Sequence, residues 1–232
     1  MFDFDLRYVL NFFSTYEFQS IIDSSDLKMA EEFGLMNEVL ENGQMTLNEY
    51  GHLVHEALLA DSKNWVAHIY ASAYWRIQGQ PSKAIECGRN AYKYSSDKLR
   101  YMSLLSMGNV LHRSQRSEDA AVLLKEAANT AEATAAAATV HFTLGNVHAT
   151  LLDFNHSADA YTRAVKLSPD LETAKLRRHA VLCHQKIETA LERQQIELQK
   201  TLRVRQLLVC YLILMRFGSS DYRRIGGTFF LL

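Results

Sequence analysis

The sequence predicts an all-α protein, a solenoid of helix–turn–helix repeats that runs into one long C-terminal helix. Three observations predict it. The 232 residues contain two prolines and ten glycines, and three of those glycines (Gly218, Gly226, Gly227) sit at the far end, so the body is poor in breakers. Apolar residues recur at spacings of three and four, the period of an amphipathic helix. Small residues return at intervals of 34, 36 and 37, at Ala57, Ala91, Ala127 and Ala164.

Residues 1–45 read as an irregular helical N-terminal segment. Phe12, Phe13, Tyr16 and Phe18 give it aromatic surface. Asp23–Asp26 offers a helix start ahead of Leu27, Ala30, Phe33, Leu35 and Leu40, and Asn42-Gly43 offers a stop. Thr46 and Glu49 have the spacing of a capping box and open the repeat array, assigned to residues 46–171.

Within the array, Gly145 slides back by 37 residues onto Gly108 and by a further 36 onto Ser72. These small residues face Ala158, Ala120 and Ala84 on the second helix of each unit. Two antiparallel helices approach closely only where side chains are small. Trp75, Leu111, Leu124 and Tyr161 are the bulky plugs between units. Pro81 stands at the first position of a second helix, where its missing N–H costs nothing. Ser168-Pro169-Asp170 closes the last unit.

Residues 172–202 read as a long capping helix with an apolar stripe through Leu176, Ala180, Cys183, Ile187, Leu191, Leu198 and Leu202. Its later part is either a solvated helix or half of a coiled coil. Residues 203–232 change character. Leu207–Met215 is apolar all round and lacks the basic face of a membrane-surface helix. This tail is expected to be an artefact of a truncated or mis-spliced gene model.

Composition excludes several functions. Lys plus Arg number 25 against 26 Asp plus Glu, a net charge of −1, without the basic bias of a nucleic-acid binder. Three scattered cysteines (Cys87, Cys183, Cys210) make no disulfide framework and suit a reducing compartment. Residues Met1–Leu6 lack the basic and apolar parts of a secretory signal. The longest apolar run, nine residues, falls short of the roughly 20 that span a bilayer. A soluble intracellular protein is the expectation.

No catalytic, cofactor-binding or metal site is expected. His52, His55 and Glu56 share one helix without a further ligand pair, and HExxH is absent. His141 with His148, and His179 with His184, likewise lack partners. Ser25-Asp-Leu-Lys28 matches a β-lactamase-like pattern without its companion motifs. Cys87 reads as core packing. There is no glycine-rich phosphate loop. An enzyme or metal protein built on His52, His55 and Glu56 is the outlying alternative, which metal analysis of the purified chain would test.

The first helices of stacked units line a groove. Candidate groove residues are Ile69 and Arg76 in the first full unit, Leu105, Asn109 and Arg113 in the second, and Phe142 and Asn146 in the third. Val66, Ala73, Ile77, Met102, His112, Thr139, Ala149 and Thr150 flank them. Asn109 and Asn146 are equivalent positions. Either they hold the backbone of an extended peptide, or they cap and solvate the groove. A clamp for a terminal carboxylate would need Lys, Asn and Arg where Ile69, Ala73, Ser106, Thr139 and Thr143 stand, so a chaperone tail is not the expected ligand.

The unit length and the pattern of small and bulky residues resemble the tetratricopeptide repeat family. Longer words sharpen the resemblance to the first repeat block of one long member: Tyr50-Gly-His-Leu-Val-His-Glu-Ala, Tyr74-Trp-Arg-Ile, Gly108-Asn-Val-Leu-His-Arg, Ser117-Glu-Asp-Ala-Ala-Val and Arg178-His-Ala-Val-Leu-Cys-His-Gln-Lys. It covers residues 46–202, a fragment-like share of that protein. The resemblance implies a non-enzymatic cytoplasmic scaffold that promotes actin filament polymerisation and takes part in cilium organisation, located at the actin-rich cortex or cilium base. Its partners would be the actin cytoskeleton or its regulators. The alternative is a generic peptide-binding adaptor with no actin role. No family ligand or catalytic residue carries over.

Overall fold

A computed structural model of the chain describes residues 26–40, 45–131 and 135–217. Among these, nine α-helices and one 3₁₀ turn are present and no strand. They are α1 (Phe33–Val39), α2 (Leu47–Ala60), α3 (Trp65–Ile77), α4 (Pro81–Tyr94), α5 (Arg100–Arg113), α6 (Ser117–Thr130), α7 (Ala135–Thr150), α8 (Phe154–Leu167) and α9 (Glu172–Phe217). The chain falls into two units, one running to Leu182 and the other beginning at Cys183.

The first unit is built from helix pairs. Helix α3 packs on α4, α5 on α6 and α7 on α8, and each second helix packs on the first helix of the next pair. The predicted repeats are therefore real structural units. Their buried interior centres on Ala84, Leu104, Val110, Leu111, Ala120, Leu124, Ala127, Val140 and Val147. Burying one Leu- or Val-sized side chain contributes about 1.5–3 kcal/mol, so this shared interior outweighs the helix propensity of any single unit.

Local chemistry sets where the helices begin. The Thr46 N–H donates to Glu49 Oε2 at 2.7 Å and the Glu49 N–H donates back to Thr46 Oγ1 at 3.2 Å, the expected capping box. Asn64 Oδ1 accepts from the N–H groups of Val66 and Ala67 at the start of α3. Pro81 occupies the first turn of α4 and is buried.

The close approach within each pair rests on the small residues. The Ser72 hydroxyl donates to the Ala84 carbonyl at 2.9 Å, tying α3 to α4. Its counterpart in the third pair runs the other way, from the Ser157 hydroxyl to the Gly145 carbonyl at 2.8 Å. A Cβ on Gly108 would stand 2.8 Å from Leu124 Cγ, and one on Gly145 2.7 Å from the Tyr161 ring. Leu124 and Tyr161 thus fill the space the glycines leave, as the repeat pattern requires.

All three hairpin turns share one backbone device. Gly79, Gln115 and Leu152 take left-handed φ angles of 64°, 66° and 60°. After each, a backbone N–H reaches back five residues: Gln80 to Trp75, Arg116 to Leu111 and Asp153 to His148, at 2.8–2.9 Å. This is the Schellman end of a helix, repeated once per unit.

Two elements differ from the sequence expectation. The sequence predicts helix after Asp26, yet residues 27–32 form no regular element and helix begins only at Phe33. The last residue of that stretch, Glu32, makes a long-range ion pair described below. The C-terminal helix runs on to Phe217, past Leu202, because neither proline nor glycine interrupts the chain before Gly218. In the second unit, every residue from 186 to 213 is exposed. Asn42-Gly43, the aromatic residues of the first 25 positions and residues 218–232 lie outside the described residues.

Candidate protein-binding face

The first helices of the pairs adjoin one another, α3 against α5 and α5 against α7. The candidate residues on them meet different fates. Ile69, Leu105, Asn109, Phe142 and Asn146 are half-buried, Arg76 is buried and Arg113 is exposed.

Arg76 and Arg113 converge on one carboxylate. Both lie in the last turn of their helices, where a cation also suits the helix dipole. Arg76 grips Glu32 in a fork, Nε to Oε2 at 3.0 Å and Nη2 to Oε1 at 2.9 Å. Arg113 Nε stands 3.5 Å from the same Oε2, and its Nη2 lies 3.5 Å from the Glu31 carbonyl. The Arg76 and Glu32 side chains are only 10% and 16% exposed. Such a desolvated fork fixes geometry.

Glu32 ends a stretch of the chain, residues 27–32, that forms no regular element. Leu27 and Met29 pack against the interior cluster. The Met29 carbonyl and Glu31 N–H come so close to the α3–α4 turn that a Cβ on Gly79 would stand 3.2 and 3.4 Å from them. Helix α1 continues the segment against α3. The face therefore already holds a non-helical segment with an acidic side chain across the ends of two repeats.

The third unit is engaged differently. Asn146 Oδ1 accepts from the Tyr161 hydroxyl at 2.7 Å, which makes this Asn a brace between α7 and α8. The Phe142 ring lies 5.9 Å from Tyr161 and has the Arg177 guanidinium 5.7 Å from its centroid. Val181 packs in the same cluster. The start of α9 thus covers Phe142.

The turn of this unit holds a group that sequence reasoning missed. His148 ends α7, Asp153 caps α8 and His156 follows in its first turn. One potential ligand atom from each lies within 4.8 Å of the others. Burial holds the His148 imidazole below its usual range, with Asp153 opposing. At Asp153 desolvation is outweighed by hydrogen bonds from His156, and the carboxyl lies below its usual range. Their spacings of five and three straddle a turn, so a search along single helices pairs His148 with His141 instead. His52, His55 and Glu56 are exposed on α2. Cys87 is half-buried, and burial pushes its thiol up to about 11, whereas Cys183 and Cys210 are exposed.

No family model matches the chain. Curated relatives do. Tetratricopeptide repeat protein 17 of Danio rerio is 43% identical over 163 residues, 70% of this chain and 13% of that protein. The Rattus norvegicus and Homo sapiens proteins of the same name are 41% and 40% identical over 157 residues, 68% of this chain. This chain belongs to the tetratricopeptide repeat family. The specific member that the long sequence words resemble is the one these relatives represent. As a tetratricopeptide repeat protein, the chain carries an architecture for protein interaction. It spans about 13% of the length of the curated relatives it matches. Among solved structures, a crystal structure of MamA has a TM-score of 0.49 at 15% identity, covering 68% of this chain and 87% of MamA. No helix among the described residues is long and apolar enough to cross a membrane.

Proposed function

We propose that this tetratricopeptide repeat chain is a non-enzymatic protein-binding scaffold whose first-helix face takes an extended acidic segment of a partner. The observation that carries the reading is Glu32, held by Arg76 and Arg113 together on a segment without regular structure. The chain's own residues 27–32 are a built-in stand-in for such a ligand, and a partner would displace them. By its resemblance to tetratricopeptide repeat protein 17, the partner belongs to the actin cytoskeleton or its regulators. The role is then to promote actin filament polymerisation and cilium organisation, at the actin-rich cortex or cilium base. A second reading, a generic peptide adaptor without an actin role, uses the same face.

The test is an affinity capture with the full chain, identified by mass spectrometry, beside two variants. Glu32→Ala removes the carboxylate that both arginines share and should enrich the captured partners. Arg113→Glu, at an exposed position, should deplete them. Actin or its regulators following that pattern supports the scaffold; other proteins following it favours the adaptor. A captured set indifferent to both substitutions removes the face from the function.

A further inference from the structure

We propose that His148, Asp153 and His156 form a zinc site that pins the hairpin turn of the third repeat. The three residues come from opposite sides of one turn. Leu152, at a φ of 60°, reverses the chain, and the Asp153 N–H bonds back to the His148 carbonyl at 2.9 Å. That bond sets the capping carboxylate beside the imidazole that ends α7. His156, one turn into α8, completes the set.

The donor atoms already converge. His148 Nδ1 lies 3.3 Å from Asp153 Oδ2, and His156 Nδ1 lies 2.7 Å from the same oxygen. The two imidazoles stack with centroids 5.3 Å apart. Zinc bound tetrahedrally at about 2.0–2.1 Å separates its ligand atoms by about 3.3 Å. The His148–Asp153 edge has that length. The His156 edge must open slightly, which its side chain, 67% exposed, is free to do.

A second observation points to a ligand. The His148 side chain is only 6% exposed, and its Nδ1 is buried without a hydrogen-bond partner. It stands beside the carboxylate yet not in line with it. A buried ring nitrogen aimed into a cluster of donors is what a metal ion satisfies. Two imidazoles and one carboxylate form a three-ligand zinc set whose fourth position is left to water. Lys125, on the preceding unit, lies within electrostatic reach of His148 and opposes a cation. A divalent ion here needs the Asp153 charge as well as both imidazoles.

The experiment uses the full chain without a histidine tag, stripped by a chelator. Zinc affinity and stoichiometry are read by calorimetry, and coordination by the visible spectrum of the cobalt-substituted protein. The parent should bind one zinc and show the intense bands of four-coordinate cobalt. Asp153→Asn keeps a capping residue and loses the charge. His156→Ala removes an exposed ligand and keeps the test readable if the first variant loosens the turn. Each should weaken zinc binding at least tenfold and erase the bands. No stoichiometric zinc on the parent, or an undiminished affinity in His156→Ala, overturns the proposal.

Discussion

Tyr161 shows how little freedom a single position has in this array. Its side chain is 1% exposed, and its hydroxyl is anchored on Asn146. The ring is held at both ends and cannot swing away from a methyl group placed 2.7 Å from it. Gly145→Ala should therefore destabilise the chain by about 1–3 kcal/mol in chemical denaturation, the usual cost of overpacking. Gly34→Ala, with nothing within 4 Å of the new Cβ, should cost nothing and gain helix propensity. Leu152 presents the opposite opportunity. It is 74% exposed and sits in the left-handed region, where a non-glycine residue is strained. Leu152→Gly should raise stability by about 0.5–1 kcal/mol, since the relief of strain exceeds the entropy glycine loses. A fall in stability would mean that the Leu152 side chain makes contacts its exposure does not suggest. At this scale the sequence is readable where the cause is local. Gly108, Gly145, Pro81 and the Thr46 box announce themselves. Gln115 and Leu152 do not, because a left-handed turn imposed by the repeat leaves no mark on the residue that suffers it.

The helices carry a second kind of constraint, in their buried imidazoles. His112 on α5 is held below the usual imidazole range by burial and then by Arg113; His141 on α7 by burial and then by Arg163. The sign follows directly. Above the ordinary value of 6.5 both are neutral folded or unfolded. As pH falls below it, the unfolded chain binds protons that the folded chain refuses, so stability is lost. Thermal midpoints should fall between about pH 7 and about pH 5, and His112→Gln with His141→Gln should flatten that slope. A midpoint rising with acid would contradict the burial of these rings. Element boundaries were legible from caps and breakers in the repeats but not in α1. There, Glu32 before Phe33 pairs with arginines 44 and more residues away, a contact that no local pattern encodes. The histidine–aspartate group escaped for a related reason, since its members belong to two helices and meet only when the turn is made.

For the molecule as a whole, the order of repeats was legible because each unit repeats the same packing problem with the same solution. What the long C-terminal helix does was not, because residues 186–213 are exposed and exposure places little restriction on residue identity. A chain ending after Leu202 should keep its thermal midpoint within about 2 °C, since every residue from 203 to 213 is exposed. A larger fall would show that the tail supports the array.

The fork on Glu32 has a consequence for how the chain is made. Glu32 leaves the ribosome ahead of both its arginines, and Arg113 lies 82 residues after Glu31. At about 5–20 residues per second, that arginine follows roughly 4–16 s later. Until then the acidic segment has no complete dock. The first two repeats must be synthesised and paired before the preceding acidic segment can close over them, and during that interval any acidic peptide that arrives first competes for the same dock.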